Sequence, residues 1–195
     1  MGALPPYNFS MNYFIADCHF FHSNILKLNP LKRRKGFEDV ILENLRAVLT
    51  EDDALYVIGD FAWKLPEGFL EKWSSIPGRK FLIKGNHDWW FKEEELYPFF
   101  EEIYDFSYLL EVRGKRVLLC HFPSKDLRTY RYTELQERVT RELKENNCSL
   151  LVHGHVHWNP YGVFCGCHLN CVKCINVNVE FTGFRPVSEE ELPLW

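Results

Sequence analysis

Apolar residues in this chain come as short runs closed by polar motifs. Asn12-Tyr13-Phe14-Ile15-Ala16, Ala54 to Ile58 and Lys80 to Lys84 are β-branched or aromatic stretches of strand length, each followed at once by Gly, Asp, Asn or His. That is the pattern of a buried strand feeding a loop. Between them, Glu38 to Leu49 carries Ile41, Leu45, Val48 and Leu49 at helical spacing, and Pro66 to Ser74 predicts a helix opened by proline with Phe69, Leu70 and Trp73 inward. The chain up to Asp88 therefore scans as β-α-β-α-β, which requires parallel strands joined by helical crossovers.

The second half is richer in strands. Phe106 to Val112 and Arg116 to Cys120 flank Arg113-Gly114-Lys115, a hairpin turn. A helix is expected from Thr133, with a capping box to Gln136 and an apolar stripe of Leu135, Val139 and Leu143, ending near Asn146-Asn147. Ser149 to His153 reads as another buried strand, Ile175 to Val179 as a late strand, and Ser188 with Glu191 as a capping box opening a short last helix. No internal repeat or linker interrupts residues 1–195, so one domain is expected, with 1–10 as a flexible lead-in.

Composition narrows the class. With 46% hydrophobic and 26% charged residues the 195-residue chain is globular, not disordered, and long enough for a layered core. A net charge of -4 gives no broad footprint for duplex DNA, although Lys32-Arg33-Arg34-Lys35 is locally basic. No apolar run approaches the roughly 20 residues that span a bilayer, and the start lacks a secretory or myristoylation pattern, so no membrane partner and a cytoplasmic location are expected. Seven cysteines cannot all pair within one chain.

Five motifs then stand out in order: Asp17-x-His19, Gly59-Asp60, Gly85-Asn86-His87-Asp88, His121 and Gly154-His155-x-His157. Each follows a predicted strand, where the loops of an α/β sheet gather a binding site. Imidazoles suit borderline metals, carboxylates neutralise charge, and an amide carbonyl adds a ligand without adding charge. A shared carboxylate can hold two dications close together, and Asp60 is the candidate bridge.

The order and identity of these motifs, from Asp17 to Val179, resemble the calcineurin-like metallophosphoesterase superfamily. The resemblance implies an α/β fold of two packed mixed β-sheets with helices on both outer faces, and hydrolysis of a phosphomonoester or phosphodiester by a metal-activated water. It implies that Asp17, His19 and His157 join Asp60 around one divalent ion, and Asn86, His121 and His155 join it around the other. Manganese, iron, zinc and nickel all accept such a set. The same likeness makes His87 the proton donor, oriented by Asp88. The substrate is expected to be a small phosphorylated compound, with a nucleotide among the candidates. A metal-dependent nuclease is the alternative, with nucleic acid a less favoured partner, and a non-catalytic scaffold of the same fold a more distant one.

Other residues are open to two readings. His22 touches substrate phosphate or makes a structural hydrogen bond, and His153 ties down its own loop. Arg34 and Arg128 are candidate phosphate contacts. Trp89-Trp90-Phe91 and Tyr130-Arg131-Tyr132 either frame a ligand or begin the next packing unit. Cys165, Cys167, His168, Cys171 and Cys174 lie outside the family pattern; thiols without a ligand come first, a separate metal or a disulfide next.

Overall fold

The computed structural model describes residues 10–28, 32–126, 130–158 and 172–194. Three parallel strands, β1 (Asn12–Ile15), β2 (Ala54–Ile58) and β3 (Arg79–Ile83), pair in register, Phe14 beside Tyr56 and Tyr56 beside Phe81. β4 (Glu102–Tyr104) extends them in parallel, and a two-residue β9 (Val187–Ser188) closes the other edge antiparallel to β1. A second sheet has the order β5 (Ser107–Val112), β6 (Lys115–Cys120), β7 (Leu150–His153) and β8 (Lys173–Asn176), antiparallel only in its first pair.

Strand alternation decides the layers. Phe14, Tyr56, Ile58, Phe81 and Ile83 face Val117, Leu119, Leu150 and Val152 between the sheets. Their neighbours Ile15, Leu55, Val57 and Leu82 face outward onto α2 (Phe37–Val48) and α3 (Phe69–Ser74), packing on Ile41, Leu45, Phe69 and Trp73, with the one-turn helices α1 (Ile25–Leu28) before α2 and α4 (Glu93–Leu96) after β3. Leu118, Cys120 and Leu151 meet Val139 and Leu143 of α5 (Thr133–Glu145) on the far side. Both faces of each sheet are covered, as near-continuous apolar strands require, and the expected order helix, sheet, sheet, helix results.

Several expected boundaries shift. α3 begins at Phe69, not Pro66, because Gly68 takes φ 80° and the Pro66 carbonyl closes only a turn onto Phe69 N–H. Thr133 does not cap α5: its hydroxyl donates to Tyr130 O, while Gln136 accepts the Asp126 N–H and donates to Arg131 O, pinning the preceding segment instead. The late strand stops at Asn176, since the Asn178 side chain accepts from Glu180 N–H and starts α6 (Val179–Thr182). The Ser188–Glu191 capping box is present, on a single 3-10 turn. Arg113 and Gly114, at φ 49° and 70°, make the hairpin turn that the sequence predicts. No described helix is long and apolar enough to cross a membrane.

Candidate metal centre

Because β1, β2, β3, β6 and β7 run parallel, their carboxyl ends share one edge of the two sheets, and the motif residues leave the strands there. One hydrogen bond ties the two layers together at this edge, Ala16 N–H to Val177 O, and two others join neighbouring loops within a sheet, Asp17 N–H to Gly59 O and Gly154 N–H to His121 O. The turns are tight. Asp17, His19, Asp60 and His155 all adopt positive φ, between 48° and 64°, a conformation that costs a non-glycine residue about 1–3 kcal/mol and gathers at functional sites. Gly85 and Gly154 have no alternative there, since a Cβ on either would overlap a carboxylate oxygen of Asp60 or Asp17.

Both carboxylates are buried and divided between two tasks. One oxygen anchors backbone: Asp60 Oδ1 accepts His87 N–H at 2.9 Å and Asp17 Oδ2 accepts His155 N–H at 2.9 Å. The other faces imidazole nitrogens. Asp60 Oδ2 lies 3.5 Å from His19 Nε2 and 3.4 Å from His121 Nε2, and Asp17 Oδ1 lies 3.2 Å from His157 Nε2. His155 Nδ1 sits 3.3 Å from His121 Nε2. Asp17, His19 and His157 form one group whose ligand atoms approach within 4.8 Å of one another; Asp17, Asp60 and His121 form a second, and His19, Asp60 and His87 a third.

This donor set fits metal ions on its own terms. Asp17 Oδ1, His19 Nε2 and Asn86 Oδ1 are buried without a hydrogen-bond partner, a costly arrangement for groups that point at one another across a shared space. Electrostatics agree. Burial opposes ionisation of Asp17, yet His157 draws its carboxyl down to about 2. Burial likewise opposes protonation of His121 and His157, but Asp60 lifts the first to about 9, and Asp17 with Glu180 lifts the second to about 10. Burial and the neighbouring His121 push His155 down to about 3. The paired acids thus call for positive charge among the imidazoles.

Asp88 does not have the role the motif implies. Its buried carboxylate accepts backbone N–H groups of Asp60 (2.7 Å), Gly85 (2.8 Å) and Phe61 (2.9 Å), whereas His87 Nδ1 has no hydrogen-bond partner. Asp88 therefore ties two loops of the site together, and the His87 ring is instead bordered by the rings of His19, His22 and Trp63. Burial and the Asp60 charge push its carboxyl up to about 7 against those three donors.

Among the other expected contacts, His22 lies 3.3 Å from His19 (Nδ1 to Nδ1) and stacks on Trp63 with ring centres 4.4 Å apart. His153 Nδ1 faces the Gly154 carbonyl at 2.8 Å, as its own-loop role requires. Arg34 is exposed and lines a separate cleft with Lys35, Phe37 and Phe184, away from the ligand cluster. Its neighbour Arg33 is the one that reaches the site. Arg128 and Cys165, Cys167, His168 and Cys171 lie outside the described residues. Trp89 packs on Phe122, the packing alternative, and Tyr132 edges His155.

Motif reading missed Arg33 and Glu180. Arg33 is 1% exposed and donates to the carbonyls of Asp17 and Cys18 and to Glu180 Oε1. Glu180 Oε2 in turn lies 3.1 Å from His157 Nδ1. The signal was faint: a basic run before α2 and one Glu beyond the last motif. Around the ligand cluster opens a cavity of about 330 Å³ lined by His19, His22, Asp60, Asn86, His87 and His157.

Comparison with known proteins agrees with this geometry. The family model described as calcineurin-like phosphoesterase matches residues 13–159. A crystal structure of a protein of unknown function from Aquifex aeolicus superposes with a TM-score of 0.88 at 49% identity, covering 94% of this chain and 97% of that one. An uncharacterized protein of Methanocaldococcus jannaschii is 26% identical over 180 residues, 90% of this chain and 85% of its own length. The gene 66 protein of Mycobacterium phage L5 is 26% identical over 166 residues, 76% of this chain and 78% of its own. The chain belongs to the calcineurin-like phosphoesterase family.

Proposed function

We propose that this calcineurin-like phosphoesterase hydrolyses esters of small phosphorylated compounds with two divalent ions that share Asp60. Membership of the family supports metal-dependent phosphoester hydrolysis in general. The observation that carries the finer reading is the pair of buried carboxylates, each spending one oxygen on backbone and turning the other toward imidazoles on both sides. Asp17, His19 and His157 would hold one ion and Asn86, His121 and His155 the other, with Asp60 between them. Bound there, such ions lower the pKa of a water and neutralise charge on the phosphoryl oxygens.

The chain's own groups supply the rest. His87 borders the cavity with its ring partly open to solvent and its Nδ1 unpartnered. In this reading it gives a proton to the departing ester oxygen as water oxygen bonds to phosphorus and the P–O bond breaks. Asp88 keeps His87's loop and Asp60's loop at a fixed separation through its three backbone contacts. A scaffold without activity would be expected to have lost ligands, and every motif position keeps a residue type able to bind a metal.

Hydrolysis of bis-para-nitrophenyl phosphate by chelator-stripped protein, with and without added manganese, tests the reading. Metal-stimulated turnover is expected. Its absence across manganese, zinc, iron and nickel would leave the scaffold alternative standing.

A further inference from the structure

Beside the metal cavity lies a second cleft of about 210 Å³ lined by Ala62, Trp63, His87, Trp90, Phe91 and Glu95. His87 borders both. The two indoles, with ring centres 5.9 Å apart and planes tilted by 44°, form an open aromatic wedge. Trp63 is held from behind by its parallel stack on His22, and Trp90 is 77% exposed. Leaving large aromatic surface in water costs free energy that burial would recover, and here that surface adjoins the reaction site.

We propose that this wedge receives a nucleobase, so that the group leaving beside His87 is a nucleoside. The inference rests on the phosphoesterase reading of the neighbouring cavity. Size limits the occupant: the cleft is smaller than the roughly 300–1,000 Å³ of pockets that enclose a whole small molecule, so it holds one group of a ligand anchored elsewhere. Charge limits it further. Among the described lining residues Glu95 is the one formal charge; one of its oxygens accepts Lys92 N–H at 2.8 Å, and the carboxylate disfavours a second phosphate while its other oxygen can accept from an exocyclic amine. A planar ring bearing an amino group, joined through its sugar to a phosphate at the metals, satisfies both conditions.

The test compares ligands that differ only in the base. Against bis-para-nitrophenyl phosphate hydrolysis by manganese-loaded protein, adenosine 5′-monophosphate should inhibit about tenfold more tightly than ribose 5-phosphate, the scale of one base stacked on an aromatic ring. Trp90→Ala should collapse that ratio toward one and Trp90→Phe should largely restore it. Equal inhibition by the two ligands, or a ratio indifferent to both Trp90→Ala and Trp63→Ala, overturns the proposal. Calorimetry with adenosine decides it separately from catalysis. If no phosphoester is hydrolysed, the functional reading falls, but adenosine binding that Trp90→Ala weakens still supports the cleft, and undetectable binding to the native protein rejects it.

Discussion

Glu180 Oε2 lies 3.1 Å from Nδ1 of His157, while Nε2 of the same ring lies 3.2 Å from Asp17 Oδ1. One side of the imidazole is thus held by a buried carboxylate while the other faces the ligand cluster. Arg33 completes the line, paired with Glu180 at 2.7 Å and donating to the carbonyls of Asp17 and Cys18. An acid behind a ligating histidine fixes its tautomer and raises its basicity.

Glu180→Gln should therefore weaken metal affinity by about 10- to 100-fold. Titration against a fluorescent chelator measures this directly, and circular dichroism should show the fold intact. Affinity equal to that of the native protein would reduce Glu180 to a packing role.

Asp60→Asn should lower metal content at both positions together, because Oδ2 of Asp60 faces His19 and His121 from opposite halves of the site. Elemental analysis after dialysis is the measurement. Full occupancy would contradict a shared ligand, and loss of one ion alone would assign Asp60 to a single position.

His87→Ala should retain metal and lower kcat by about 10²- to 10⁴-fold, the usual contribution of a general acid. The loss should be smaller for esters whose leaving group is already acidic, such as para-nitrophenol. A uniform loss across leaving groups would point to phosphate binding instead.

Asp88→Asn should act through the loops, not through the proton. Three backbone N–H groups converge on its carboxylate, and an amide offers only one acceptor oxygen. The expected result is a lower Tm together with weaker metal binding, read by thermal melts with and without manganese.

Away from the site, the Arg185 ion pair and the Ser188 cap hold Glu191 down at about 2. A depressed carboxyl stabilises the fold above its unfolded value, near 4.5, and loses that contribution as pH falls toward 2. Glu191→Gln should lower Tm modestly at pH 7, and the gap from the native protein should close in that acid window. A gap independent of pH would show that charge is not the cause.

Candidate ligands were legible in the chain because a site at the end of parallel strands is assembled locally. An apolar run of strand length marks where a loop begins, and the first polar residues after Ile15, Ile58, Ile83, Cys120 and His153 are delivered to a common edge. Layer order came from the family resemblance, and the structure shows its physical basis: alternation along β1, β2 and β3 supplies two apolar faces that must both be covered. What the linear pattern could not contain is which side chains meet across the layers. Arg33 and Glu180 are separated by 147 positions, and their pairing depends on α6 lying beside the loop that follows β1. Asp88 reads as a partner for its neighbour His87, yet the 3-10 turn at Asp88–Trp90 swings its carboxylate back toward Gly85, Asp60 and Phe61. Trp63 and Trp90 likewise become one wedge only when loops from two strands converge. Sequence determined the donors and their order, since short-range strand and turn preferences are written residue by residue; tertiary structure alone decided their supporting contacts, because those are distances between segments that the chain does not place side by side.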